Sequence, residues 1–130
     1  TQSVFARIDN DFGEMFEAVA NEKIGSYELI VNPEQCCTVI LVSGGYPESY
    51  EKGKTITGLE SVKGSLLVHA GTKRQDGTLV TSGGRVMAIT SFGDSLQDAL
   101  SKSLNNAEKV DFEGKYYRKD IGQDLLKLSQ

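Results

Sequence analysis

The sequence predicts an α+β fold, a small, mostly antiparallel sheet with helices packed on one face. Three observations predict it. Short apolar runs of strand length occur at 37–42, 66–70 and 86–90. Asp76-Gly77 is a strong hairpin signal, because both positions of the tightest hairpin turns need a left-handed backbone. Apolar residues at helical spacing flank these runs on both sides.

The elements follow in chain order. Asp9 or Asn10 is expected to cap a helix whose apolar face is Phe12, Met15, Phe16 and Val19, with Gly25 ending it. Residues 27–31 alternate weakly and predict a strand before the Asn32-Pro33 turn. The run at 37–42 predicts a buried strand, followed by a glycine-rich loop. Ile56 and Leu59 sit in a polar segment without a clear period. The strand at 66–70, extended through Thr72, is expected to pair across Asp76-Gly77 with 79–81. Ser82-Gly83-Gly84-Arg85 breaks the chain before the strand at 86–90. Ser95, with Asp98 three residues on, predicts the cap of a helix. Its apolar face is Leu96, Ala99, Leu100, Leu104, Ala107 and Val110. Gly114 breaks the chain again, and a short helix from Gln123 to Leu128 closes it. No linker or repeat divides the sequence, so residues 1–130 are expected to form one domain.

A chain of 130 residues is long enough for one real core. The net charge of −4 argues against broad nucleic-acid binding, which needs a basic surface. No apolar run reaches membrane-spanning length, and the first residues lack the pattern of a signal peptide. The sequence starts at Thr1 without an initiator Met and is expected to be cut from a longer chain. Cys36 and Cys37 are adjacent, and strand neighbours point to opposite faces, so the two thiols are badly placed to bridge. Reduced thiols fit the cytoplasm, which is the expected location. His69 is the one histidine, and no metal-ligand spacing occurs, so no metal site is expected.

Three glycine-flanked bends at strand ends are the candidates for a shared pocket. The first is the stretch 43–54, where Gly44 and Gly45 free the backbone to turn and to offer N–H groups to an anion. Tyr46 and Tyr50 add rigid walls there, and Lys52 and Lys54 add positive charge. The second is His69-Ala70-Gly71-Thr72, and the third is Ser82-Gly83-Gly84-Arg85. Arg85 is the sharpest candidate, since a guanidinium grips phosphate or carboxylate oxygens as a fork. The other reading of Arg85 is a surface residue or an ion pair. His69 reads as a general base or as a hydrogen-bonded structural residue. Ser43, Ser49 and Thr72 are nucleophiles only if a base stands beside them. The nucleophile-elbow, P-loop and dinucleotide patterns are absent.

The blocks Ser43-Gly44-Gly45-Tyr46-Pro47, Tyr50-Glu51-Lys52-Gly53, Ile56-Thr57-Gly58-Leu59, His69-Ala70-Gly71-Thr72, Gly83-Gly84-Arg85-Val86 and Tyr117-Arg118-Lys119-Asp120-Ile121-Gly122 together resemble one family. It is the phosphoribosylamine–glycine ligases (glycinamide ribonucleotide synthetases) of the ATP-grasp superfamily, and the likeness is to their C-terminal domain. The blocks keep the family's order over nearly the whole chain. The resemblance implies the rudimentary hybrid-motif fold and a place in de novo purine synthesis. The implied reaction joins glycine to 5-phosphoribosylamine through a glycyl phosphate, with ATP cleaved to ADP and phosphate. It further implies ATP-grasp lobes as partners, with ATP and magnesium used by the full-length enzyme and no cofactor or catalytic residue in this fragment. Gly44, Gly45, Tyr46, Tyr50, Lys52, His69, Thr72, Gly84 and Arg85 are then the expected substrate-binding residues, and phosphoribosylamine and glycine the small-molecule substrates. Departures are visible. The family's Arg-x-Gly-Asp-Pro-Glu signature is absent, Glu48 stands where a small residue is expected, and Ser82 stands where asparagine is usual. Two alternatives are a free-standing sugar-phosphate-binding or regulatory module and the matching domain of another ATP-grasp ligase. An excised domain is also expected to expose an apolar patch.

Overall fold

The computed structural model describes residues 1–128; the last two residues of the predicted unit lie outside them. The strands are β1 (Gln35–Val42), β2 (Leu66–His69), β3 (Thr72–Gln75), β4 (Thr78–Thr81) and β5 (Arg85–Gly93). The helices are α1 (Gln2–Ala6), α2 (Phe12–Ala20), α3 (Leu96–Lys109) and α4 (Gln123–Leu128). Among the described residues, β5 is the centre of a three-stranded antiparallel sheet of order β1-β5-β2, and β3 and β4 form a separate hairpin. The α+β class predicted from the sequence is the class observed.

The core forms where β1 and β5 meet α3. Along β1, Cys37, Val39 and Leu41 are buried while Cys36, Thr38 and Ile40 are half-exposed, the period-2 signature of a two-faced strand. The register places Val39 opposite Ile89 and Leu41 opposite Met87. Ala99, Leu100 and Ala107 of α3 complete this layer. The helix starts where predicted, since the Ser95 hydroxyl accepts from the Asp98 N–H at 3.1 Å.

A chain of polar groups crosses the same interface. Ser103 Oγ lies 2.8 Å from both the Cys37 carbonyl and Ser91 Oγ. A carbonyl only accepts and a hydroxyl carries one proton, so Ser103 donates to Cys37 and takes the Ser91 proton. Ser91 then accepts from Ser65 at 2.6 Å, and Ser65 accepts from Asn106 Nδ2 at 2.6 Å. The run from Asn106 to Cys37 has a single direction, and each buried group in it is satisfied.

The far end of α3 is closed by Lys115. Its ammonium donates to the carbonyls of Val110 at 2.6 Å, Ala107 at 3.2 Å and Glu108 at 3.3 Å. Those carbonyls lack helical partners, and a cation there also meets the negative end of the helix dipole. Lys115→Met is expected to lower stability by about 1–2 kcal/mol in a urea titration. An unchanged midpoint would show that water caps the helix equally well.

The second face of the sheet is polar at its centre. Thr38 Oγ1 lies 2.8 Å from Thr90 Oγ1 and 2.6 Å from Ser3 Oγ, which ties α1 to this face. Cys36 and Cys37 are free thiols, and burial pushes both above the ordinary thiol range, with Arg7 partly opposing this at Cys36.

Several predicted details are corrected. Residues 27–31 form no strand; Val31 makes an isolated bridge to Ile8. The cap of α2 is Asp11, whose side chain accepts from Glu14 N, because Asn10 is engaged elsewhere, accepting from Ile30 N at 2.6 Å and donating to the Glu28 carbonyl at 3.0 Å. The helix ends at Ala20 with Asn21 as its cap, before Gly25. The predicted strand through Thr72 is broken at Ala70-Gly71: β2 pairs with β5, and only β3 pairs with β4. The turn itself is as predicted, with Asp76 and Gly77 at φ 50° and 81°. The apolar face of α2 is only partly covered: Phe12 and Met15 are half-buried, whereas Phe16 and Val19 are more than half exposed.

Candidate functional site

The three glycine-flanked bends meet in space. Ser43 donates its N–H to the Gly84 carbonyl at 2.8 Å and its hydroxyl to the Gly83 carbonyl at 3.0 Å. Gly71 donates to the Arg85 carbonyl at 2.8 Å and accepts from Ser82 N at 2.7 Å. The first bend is thus fastened to the third, and the third to the second. The contact between the last two is backbone on backbone. A Cβ on Gly71 would lie 2.6 Å from the Arg85 carbonyl oxygen and 2.7 Å from Gly83 Cα. Any side chain there would force the bends apart.

The meeting point opens into a cleft of about 610 Å³. Tyr46, Ala70, Gly84 and Arg85 line it together with Ile40, Met87 and Ala88 of the sheet. Thr1 and Gln2 border it from the start of α1. The Tyr46 ring rests directly on Gly84, where a Cβ would run into the ring. Tyr50 meets the Tyr46 ring edge-on at 5.9 Å, and Lys52 Nζ stands 5.9 Å from the Tyr50 ring centre.

The expected site residues divide into two groups. Tyr46, Gly84 and Arg85 line the cleft. Gly44 and Gly45 form the turn before Tyr46; the Gly45 carbonyl accepts from Glu48 N at 2.9 Å, and Gly44 abuts the Gly114 backbone. Tyr50 and Lys52 stand behind Tyr46, outside the cleft lining. His69 and Thr72 flank the second bend, also outside the lining, with Nδ1 and Oγ1 2.9 Å apart across three residues. Both belong to one local turn, so the contact is the hydrogen-bonded reading of His69. Ser43 is buried with its proton on the Gly83 carbonyl, an arrangement suited to bracing and not to attack.

Of the two lysines in the first bend, Lys54 is taken by acidic partners and Lys52 is in none of the ion pairs among the described residues. Lys54 is held by Glu51 at 2.6 Å and Glu113 at 2.9 Å. Hydrogen bonds to these carboxylates raise its pKa, and the same contact lowers that of Glu51. Lys54 is therefore neutralised. Lys102, Lys115 and Arg118 also have acidic partners. Among the described residues no carboxylate pairs with Arg85, which sits in the cleft wall with its charge uncompensated. Among the described residues, no group of three His, Cys, Asp or Glu side chains gathers to hold a metal ion, and no helix is long and apolar enough to cross a membrane. The residues of the cleft that sequence reasoning missed are Thr1, Gln2, Ile40, Met87 and Ala88. A period-2 reading of β1 would have found Ile40, had its two faces differed in polarity.

The chain is similar to proteins of one family. The sequence profile described as phosphoribosylglycinamide synthetase, C domain, matches residues 36–124. The phosphoribosylamine–glycine ligase of Caldanaerobacter subterraneus is 44% identical over 121 residues, which is 93% of this chain and 29% of that protein. A bifunctional purine biosynthetic protein of Schizosaccharomyces pombe is 36% identical over 128 residues, 97% of this chain and 16% of that one. The crystal structure of phosphoribosylamine–glycine ligase from Thermotoga maritima superposes with a TM-score of 0.67 at 38% identity, covering 84% of this chain and 28% of that chain. The chain thus spans less than a third of the length of the ligases it matches. With the match covering most of its length, from the second residue of β1 through the other four strands and α3, the chain belongs to the phosphoribosylglycinamide synthetase C-domain family.

Proposed function

We propose that residues 1–130 act as one unit, the C-terminal domain of a phosphoribosylamine–glycine ligase, and that the cleft receives the phosphoribosyl group of 5-phosphoribosylamine. In this reading the complete enzyme joins glycine to the ribosylamine nitrogen in purine biosynthesis, with ATP cleaved to ADP and phosphate. The observation that carries it is Arg85, an unpaired guanidinium in a wall built from three bends. A sugar phosphate leaving water needs such a cation together with backbone donors. Gly44 and Gly45 make the turn that leads into Tyr46, and Gly84 leaves room for the Tyr46 ring against the third bend. Tyr46, backed by Tyr50, forms the wall, Lys52 adds charge behind it, and His69 with Thr72 shapes the rim.

ATP, magnesium and glycine belong in this proposal to the ATP-grasp lobes, the partners of this unit in the cytoplasm. The part this proposal gives the chain's own residues is to bind, orient and shield the sugar phosphate.

The test is Arg85→Ala in the complete ligase. Losing a hydrogen bond to a charged group removes about 1.5–3 kcal/mol, so the KM for 5-phosphoribosylamine should rise about 10- to 100-fold. The KM for ATP should stay near its starting value. An unchanged KM for phosphoribosylamine would take Arg85 out of the site.

A further inference from the structure

We infer that Ser43 is a positioning residue, which fixes the Gly83–Gly84 peptide so that the Gly84 N–H joins Arg85 in holding an anion. The inference rests on the sugar-phosphate reading of the cleft.

Ser43 follows β1 directly and is only 4% exposed. It spends both of its donors on one bend, the hydroxyl on the Gly83 carbonyl and the N–H on the Gly84 carbonyl. Two successive peptide planes are therefore set by one residue. In a trans peptide the N–H points opposite to the C=O. With the Gly83 carbonyl turned to Ser43, the N–H of Gly84 points away from Ser43. That N–H donates to no protein group among the described residues. Gly84 itself lines the cleft beside Arg85. An unpartnered amide next to an unpartnered guanidinium is the donor set that a phosphate monoester takes. Without the Ser43 hydroxyl, the Gly83 carbonyl loses its partner, and a peptide between two glycines is held less firmly in this orientation.

The experiment uses the complete ligase and four variants: Ser43→Ala, Ser43→Thr, Arg85→Ala and the Ser43→Ala/Arg85→Ala double. Ser43→Ala should raise the KM for 5-phosphoribosylamine about fivefold, the worth of one neutral hydrogen bond, with kcat within about twofold. Ser43→Thr keeps the hydroxyl and should restore most of the loss. In the double variant the effects should fall well short of multiplying, because both residues act on one bound group. If Ser43→Ala fails to fold, Ser43→Cys keeps the volume with a weak donor and carries the same expectation. Fully multiplicative effects, or an unchanged KM for Ser43→Ala when Arg85→Ala raises it, would overturn the role of Ser43 alone. An unchanged KM for Arg85→Ala would overturn the sugar-phosphate reading, and the positioning role would fall with it.

Discussion

Gly71→Val is expected to destabilise the protein by about 3 kcal/mol and to abolish the sugar-phosphate binding proposed for the cleft, because it wedges apart the two bends that form the cleft wall. The crowding starts at Cβ, and its neighbours are the backbone atoms of Arg85 and Gly83. Backbone cannot swing aside as a side chain can, so the bends must separate. Separation breaks the bond from Gly71 N to the Arg85 carbonyl and the bond from Ser82 N to the Gly71 carbonyl. Arg85 begins β5, so its displacement loosens the central strand at the same time. Gly71→Ala should show the same direction with a smaller loss. Gly25 is the control: a Cβ there meets nothing within 4 Å, and Gly25→Ala should stay within about 0.5 kcal/mol. Urea titration of each variant measures the difference. A Gly71→Val midpoint equal to that of Gly25→Ala would show that the bends do not press on each other.

That contact also marks the limit of what the sequence reveals. The three bends were legible because glycine pairs at strand ends are local features. Their meeting was an expectation, since Gly71 and Gly83 touch only after β3 and β4 fold out as a hairpin. The same excursion explains the split of the predicted strand at Ala70-Gly71, which leaves β2 on β5 and sends β3 to β4. α3 was legible nearly to the residue, because its cap and its apolar period are both written within one segment. The cap of α2 was not, because Asn10 is drawn to residues 28 and 30 by contacts that no local pattern encodes. Lys54 looked free for the same reason; one of its partners, Glu113, is distant in sequence. The apolar face of α2 is legible as a face, but among the described residues it is covered only in part, with the Phe12 ring 5.2 Å from Phe5 and Met15 half-buried, while Phe16 and Val19 stay exposed.

Leu41 and Ile40 are adjacent in β1, and their truncations should split stability from binding. Leu41 is fully buried and faces α3 beside Met87. Leu41→Ala leaves a cavity in a layer that cannot collapse around it and should cost about 2–5 kcal/mol. Ile40 points to the other face, pairs with Ala88 and lines the cleft. It is already partly exposed, so Ile40→Ala should cost only about 1 kcal/mol. In the complete ligase the order reverses. Ile40→Ala should raise the KM for 5-phosphoribosylamine about threefold, by stripping apolar surface from the cleft. Leu41→Ala, measured well below its unfolding temperature, should leave that KM nearly unchanged. The contrast follows from pleating alone, since a strand sends successive side chains to opposite faces. Equal losses of stability in the two variants would mean that β1 has one buried environment on both sides. The cleft would then be filled by protein and closed to any ligand.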